Sequence, residues 1–214
     1  MKKAVKTGKT KPAKTNPVPT ICRTKPAVRT SKHGQNSLYL HPKQADFQVD
    51  DLPAFIHTLQ SIGLIAQKID TQKNTAHYFT GKKYLDYIAY MGCAPSIQFE
   101  TSEKNENFCF IKIHRLPEPQ LIHSQKQARA PHCPHCNKPV KNWLDKKTAS
   151  GIHCDACNTT SNIENFNWRK MAGYAQLFIE ITDIFPKEAI PQASLLDKLA
   201  GINDVEWLYF YHCQ

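Results

Sequence analysis

Four cysteines stand in two pairs, Cys133 with Cys136 and Cys154 with Cys157, and seventeen residues separate the pairs. Each CxxC turn offers two thiolates, and two such turns close a tetrahedral sphere around one zinc ion, Zn2+. A sphere filled by four sulfurs keeps no open position for water, so the spacing predicts a structural metal and not a catalytic one. Asp155 lies inside the second pair with no second carboxylate beside it, and reads as a turn residue rather than a general base. His132, His135 and His153 flank the pairs. Four thiolates complete the sphere without them, which leaves them as exposed turn histidines.

The residues around the cysteines carry a second signal. A knuckle turn needs a residue with positive φ just past its second cysteine, a place that glycine fills and asparagine tolerates. Asn137 and Asn158 each follow their CxxC directly. Between the turns, residues 139–144 read as a strand, 146–151 as a turn-rich link, and 151–153 as a return toward the second knuckle. The order knuckle, hairpin, knuckle resembles the zinc-ribbon family over roughly residues 131–160, about a seventh of the chain. That resemblance implies one closed zinc site and says little about function. The tetrapeptide Cys133-Pro134-His135-Cys136 also resembles the redox motif of thioredoxin-superfamily oxidases, where the first cysteine gains reactivity at a helix N-terminus. Here Pro139 stands where that helix would begin, no βαβ pattern precedes the motif, and the second CxxC finds no use in such chemistry.

Charge is distributed unevenly. The chain of 214 residues has a formal net charge of +10. Residues 1–45 hold eleven Lys and Arg and no Asp or Glu, whereas the remaining 169 residues hold 17 basic and 18 acidic residues, a net of −1. The N-terminal stretch has few large apolar residues and reads as a disordered basic tail, too poor in apolar surface to offset the entropy of ordering. It contains no apolar run of signal-peptide length, and no segment approaches the ~20 apolar residues of a membrane span. Its lysines Lys2, Lys3, Lys6, Lys9, Lys11 and Lys14 would attract phosphates by counterion release. The alternative is a solubilising tail without a single partner. Residues 129–170 carry seven basic and three acidic residues, or +2 after one Zn2+ and four thiolates are counted. Lys141, Trp143, Lys146 and Lys147 therefore join the candidate nucleic-acid contacts. Residues 171–214 carry two basic and six acidic residues and suit a protein partner better than a phosphate. With four of eight cysteines assigned to metal, Cys93, Cys109 and Cys213 read as buried free thiols, and a reducing cytoplasm as the compartment.

Periodicity places these groups on an α+β fold: a small mixed or antiparallel sheet with two or three short helices, the zinc ribbon and the basic tail. Four segments are expected: the tail over 1–45, an α+β domain over 46–125, the ribbon over 126–170, and a strand–helix–strand unit over 171–214 that packs on 46–125. Asp50 or Asp51 caps a helix with Pro53 in its first turn and Leu52, Phe55, Ile56, Leu59 and Ile62 on one face, ending at Gly63. Strands are expected over 64–70, 76–80, 96–101 and 108–115, the last ended by Pro117 and Pro119. Residues 83–91 suit a short helix with Tyr84 and Tyr87 inward. The apolar run 177–185 reads as a strand, 193–200 as a helix opened by Pro191 and stopped by Gly201, and 207–211 as a closing strand.

Three function classes remain open. The first is a nonenzymatic nucleic-acid-associated protein with RNA, DNA or a ribonucleoprotein as target, its tail supplying affinity without sequence preference. The second is a protein–protein adaptor with a structural zinc. The third is an enzyme, against which stands the lack of a Walker loop, GxGxxG, HExxH or GxSxG.

Overall fold

The helix at 52 forms for the reasons its sequence announces. In the computed structural model, which describes residues 36–69, 76–91, 99, 108–125, 129–184 and 187–213, Asp51 caps it by accepting the Ala54 N–H at 3.0 Å. Pro53 sits in the first turn, where no N–H is needed. Past its end Gly63 takes φ 81, and the Gly63 and Leu64 N–H groups return to the carbonyls of Gln60 and Leu59 at 2.9 and 3.1 Å. That is a Schellman closure, with Leu59 and Leu64 both buried in one core. Gly81 packs directly behind it; a Cβ there would lie 2.2 Å from the Gly63 carbonyl oxygen.

In chain order the elements are β1 (Asn36–Pro42), α1 (Leu52–Ser61), β2 (Ile65–Lys68), β3 (Ala76–Thr80), α2 (Tyr84–Tyr87), β4 (Ile88–Tyr90), β5 (Phe110–His123), β6 (Lys147–Thr148), β7 (Gly151–Cys154), β8 (Thr159–Ser161), β9 (Ala172–Thr182), β10 (Ala189–Pro191), α3 (Ala193–Asn203) and β11 (Trp207–Cys213). The fold is α+β. Six strands form an antiparallel sheet in the order β11-β1-β9-β5-β3-β2, β4 pairs with β10, and β6, β7 and β8 form a separate small sheet. Among the described residues no helix is long and apolar enough to cross a membrane.

Strand alternation sorts the main sheet into two faces. One face sets Leu38 and Leu40 of β1, Ile111 and Ile113 of β5, and Leu177, Ile179 and Ile181 of β9 against Phe55 and Leu59 of α1 and Leu195 and Leu199 of α3. Truncating a fully buried leucine such as Leu199 to alanine costs roughly 2–5 kcal/mol through lost transfer energy and the cavity left behind. The other face stacks Tyr39 on Phe210, ring centres 5.1 Å apart, and buries Phe178 beside them. It also buries a carboxylate. Glu180 accepts from Ser37 Oγ at 2.7 Å, is bonded to His114 Nε2 at 2.7 Å, and accepts from Lys112 Nζ at 3.2 Å.

Several expectations are corrected. Residues 36–42 are not tail but an inner strand, with Leu38 and Leu40 fully buried between β9 and β11. Lys32 and Lys43 on either side of β1 gave the segment a tail-like composition, whereas its Ser-Leu-Tyr-Leu-His alternation is that of a strand. Residues 1–35, with Lys2 to Lys14, lie outside the described residues, as does Cys93; of the strand expected over 96–101 only Phe99 is described. Within the six-stranded sheet, β9 from 171–214 is hydrogen-bonded to β5 from 46–125 along most of its length. Residues 83–91 are helix for one turn only and then become β4. Strand β5 continues past Pro117 and Pro119, since a register shift between Arg115 and Gln120 takes the two missing N–H donors out of the ladder. Helix α3 runs through Gly201, which faces open space, and ends at Asp204 in the left-handed region with φ 53. Pro191 belongs to β10, and Gln192 is the residue before the helix.

Burial alone would raise the Glu180 carboxyl, but the His114 hydrogen bond, the Lys112 charge and the Ser37 hydroxyl reverse this and hold it at about 2 against an ordinary 4.5. A carboxyl depressed in the folded state contributes stability that is fully present above pH 4.5 and lost as pH falls through about 2. The contribution is on the order of 3 kcal/mol. Chemical denaturation of Glu180→Gln should show a loss of about that size at pH 7, with the gap to the natural chain closing as pH falls from 4.5 toward 2.

Candidate metal centre

The four-cysteine unit begins with two turns of the same geometry. In the first, the Asn137 N–H donates to the Cys133 carbonyl at 3.0 Å; in the second, the Asn158 N–H donates to the Cys154 carbonyl at 2.8 Å. Asn137 and Asn158 both have φ 55. The expected αL asparagines are therefore present in both knuckles, with the side chain that tolerates this region best after glycine. The Cys133 N–H donates to the Lys138 carbonyl at 3.0 Å, and His132 bridges to Pro139 and Asn167, which fastens the first turn to the segment leaving the unit. The second turn grows out of the hairpin β7–β8, in which Cys154 pairs with Thr159. Gly151 opens that hairpin at φ 131; a Cβ there would lie 2.1 Å from the Ser161 carbonyl oxygen.

These turns bring the four sulfurs within 4.8 Å of one another. Cys133 Sγ lies 3.6 Å from Cys157 Sγ, and Cys136 Sγ lies 3.7 Å from Cys154 Sγ. A metal at ~2.3 Å from four tetrahedral sulfurs would set its sulfur–sulfur edges at about 3.8 Å, whereas a disulfide is ~2.05 Å. The distances match ligands around one ion, and all four cysteines are free thiols. Cys133 and Cys154 are buried, Cys136 and Cys157 half-buried. Burial pushes Cys133 and Cys154 toward the neutral thiol. At Cys133 the backbone N–H groups of Cys136 and His135 reverse this and bring it to about 6. Cys154 remains raised, at about 11, with its bonds to Cys133 and Cys157 adding to burial. The Thr159 hydroxyl lies 3.0 Å from Cys157 Sγ and can donate to it.

The flanking histidines stay outside the cluster. His135 is exposed, as expected; His132 and His153 are half-buried, with Nδ1 bonded to Asn137 Oδ1 at 3.3 Å and Thr160 Oγ1 at 3.2 Å. No helix follows Cys136, so the arrangement that lowers a thioredoxin-type cysteine is missing from this turn. Residues 139–144, expected as a strand, make one bridge at Pro139 and then a run of turns. The three-stranded sheet is built instead from β6, β7 and β8.

Trp143, expected as a rigid contact surface, is only 7% exposed. It packs edge-on against Trp168 at 4.9 Å and against His123 at 5.2 Å, in a core with Val140, Ile152 and Phe166 beneath the cysteines. Its ring holds the unit together and cannot stack on a base. Lys141 and Lys147 are exposed, while Lys146 is half-buried and ion-paired with Asp155, whose carboxyl that hydrogen bond lowers. The structure thus gathers the four cysteines and disperses the candidate contacts. The sequence reading missed Phe166 and Trp168 as the far wall of this core, although two aromatics one residue apart just past the second knuckle were a usable signal. Leu121 also packs there from β5, and nothing in the sequence announced it. Comparison with known protein families, with curated proteins and with solved structures finds no match for this chain.

Protein purified without chelator should contain about one metal ion per chain by elemental analysis. Cys154→Ser should lose most of that metal and lower the melting temperature, while Cys213→Ser, at a buried thiol outside the cluster, should keep it. Full metal content in Cys154→Ser would contradict a four-sulfur site.

Proposed function

We propose that the four cysteines hold one structural zinc ion, as in a zinc ribbon, and that the protein is a nonenzymatic nucleic-acid-associated protein whose basic N-terminal tail binds phosphates of RNA, DNA or a ribonucleoprotein. Zinc suits a tetrahedral all-sulfur site and supplies no redox chemistry, so its work there is to fix the backbone. The observation that carries the nucleic-acid reading is the segregation of charge: eleven basic and no acidic residues over 1–45, in a chain whose remainder is near neutral. Lys141 and Lys147 are exposed on the four-cysteine unit and add two cations that a phosphate could meet. The adaptor reading draws less support, because two of the six acids of 171–214 are already spent within the fold: Glu180 is buried and Glu206 pairs with Lys43 at 2.6 Å. The reading carries a reducing compartment, the cytoplasm, in which four metal thiolates and the buried thiols Cys109 and Cys213 persist.

The test is fluorescence anisotropy with labelled RNA and DNA oligonucleotides, using the full chain and a chain starting at Lys32. The shorter chain keeps all six sheet strands and loses nine of the eleven basic residues of 1–45. Binding by the full chain should fall steeply between 50 and 200 mM salt, and the shorter chain should bind roughly 100-fold more weakly or worse. Equal binding by the two chains would remove the tail from the account, and absence of binding by both would remove nucleic acid.

A further inference from the structure

A cavity of about 450 Å3 lies where the segment leaving the four-cysteine unit enters β9, apart from the metal centre. Its volume falls in the range of small-ligand sites, roughly 300–1,000 Å3. Half-buried Trp168 and Tyr209 supply aromatic rings, with Trp207 buried behind them on Phe55, and His41, Arg169 and Lys170 supply polar groups of complementary kinds.

Arg169 and Lys170 are consecutive residues with φ 54 and 59. Two adjacent side-chain-bearing residues in the left-handed region cost about 1 kcal/mol or more each, and such strain persists where surrounding bonds impose it. Here the Arg169 N–H donates to Asn167 Oδ1 at 3.0 Å, and the Lys170 carbonyl accepts the Tyr211 N–H at 3.0 Å. The strained turn sets two cations on the cavity lining. Lys170 Nζ donates to the Tyr209 hydroxyl and lies 4.1 Å from that ring centre. Arg169 has no ion-pair partner among the described residues. Lys43, also on the lining, is ion-paired with Glu206, so the cations of the lining without an ion-pair partner among the described residues are Arg169 and Lys170, with Glu164 as the remaining acid.

His41 completes the set from β1. It is 6% exposed, and its Nδ1 donates to the Pro42 carbonyl at 2.8 Å, which leaves Nε2 as the lone-pair nitrogen. Burial pulls this imidazole down to about 4, so it is neutral near pH 7. Gly173 of β9 packs close beside that nitrogen: a Cβ there would lie 2.7 Å from Nε2.

A planar group with an N–H to give and an anion at one end matches aromatic walls, a buried neutral acceptor and two cations together. We propose that this cavity binds a nucleotide, its base against the aromatic walls with an N–H donating to His41 Nε2, its phosphate paired with Arg169 and Lys170, and Glu164 available to a sugar hydroxyl. A free mononucleotide and the end of a single strand present the same chemistry; only the second source rests on the nucleic-acid reading above.

Trp168 and Trp207 make the cavity its own reporter by fluorescence. The full chain and the chain starting at Lys32 should be titrated with adenosine, guanosine, cytidine and uridine monophosphates, their phosphate-free nucleosides, and short single-stranded oligonucleotides. Glycine adopts φ near 55 without cost, so Arg169→Gly with Lys170→Gly removes both cations while favouring the native turn. Quenching by at least one monophosphate, weakened tenfold or more in the double variant and for the matching nucleoside, with an unlowered melting temperature, supports a free nucleotide. Binding of oligonucleotides alone by the chain starting at Lys32, with the same sensitivity, supports a strand end. Saturation by neither class up to millimolar concentration, or affinity unchanged in the double variant, overturns the proposal. Mononucleotide binding in a chain whose tail proves inert would separate this site from the tail reading.

Discussion

Strand β9 is buried on both faces from Ala175 to Thr182, and the fold is arranged to make that possible. Its backbone polar groups have no water to turn to and are paired with β5 along most of one side and with β1 from Ile179 to Thr182 on the other. Its side chains then divide by alternation, aliphatic toward the helices and Phe178, Glu180 and Thr182 toward the opposite face. The cost of placing a carboxylate in such a strand explains why Ser37, Lys112 and His114 converge on Glu180 from the two adjacent strands. It also explains why β1, distant in sequence, belongs to the same unit. Without β1 the strand would lose its pairings from Ile179 to Thr182, and Ser37 with them.

The four-cysteine unit meets this spine at its beginning. Its sheet strands hold two to four residues each, too few to be stable alone. Two things compensate. One is the set of sulfurs, spaced as ligands of a single ion. The other is a shared aromatic core, in which Trp143 of the unit packs on His123 of β5 and on Trp168 just before β9. The same junction holds the strained pair Arg169 and Lys170 and the cavity beside it. A metal held by those sulfurs would therefore act at a distance: by fixing the turns of the unit, it would fix where the segment 166–171 enters the sheet.

Legibility varied with the range of the interaction. Local signals were read correctly: the Asp51 cap with Pro53, the Gly63 closure, the paired knuckle asparagines and the inward faces of Tyr84 and Tyr87 all depend on neighbours within a few residues. Composition misled where charge and burial disagree. β1 sits between lysines and still fills the sheet interior, and Trp143 sits between lysines and still faces inward. Long-range pairing was the least visible. That β5 outlasts two prolines depends on a register shift against β9, and that His41 faces the entry to β9 depends on β1 lying beside it. Neither leaves a mark in the local pattern of residues.

The central claim is a closed, all-sulfur zinc site. Zinc-edge X-ray absorption on the full chain, purified without chelator, measures it directly. The account predicts four sulfur neighbours at ~2.3 Å and no nitrogen or oxygen neighbour. A first shell containing nitrogen or oxygen, or protein that holds no zinc while its four cysteines remain reduced, would contradict it.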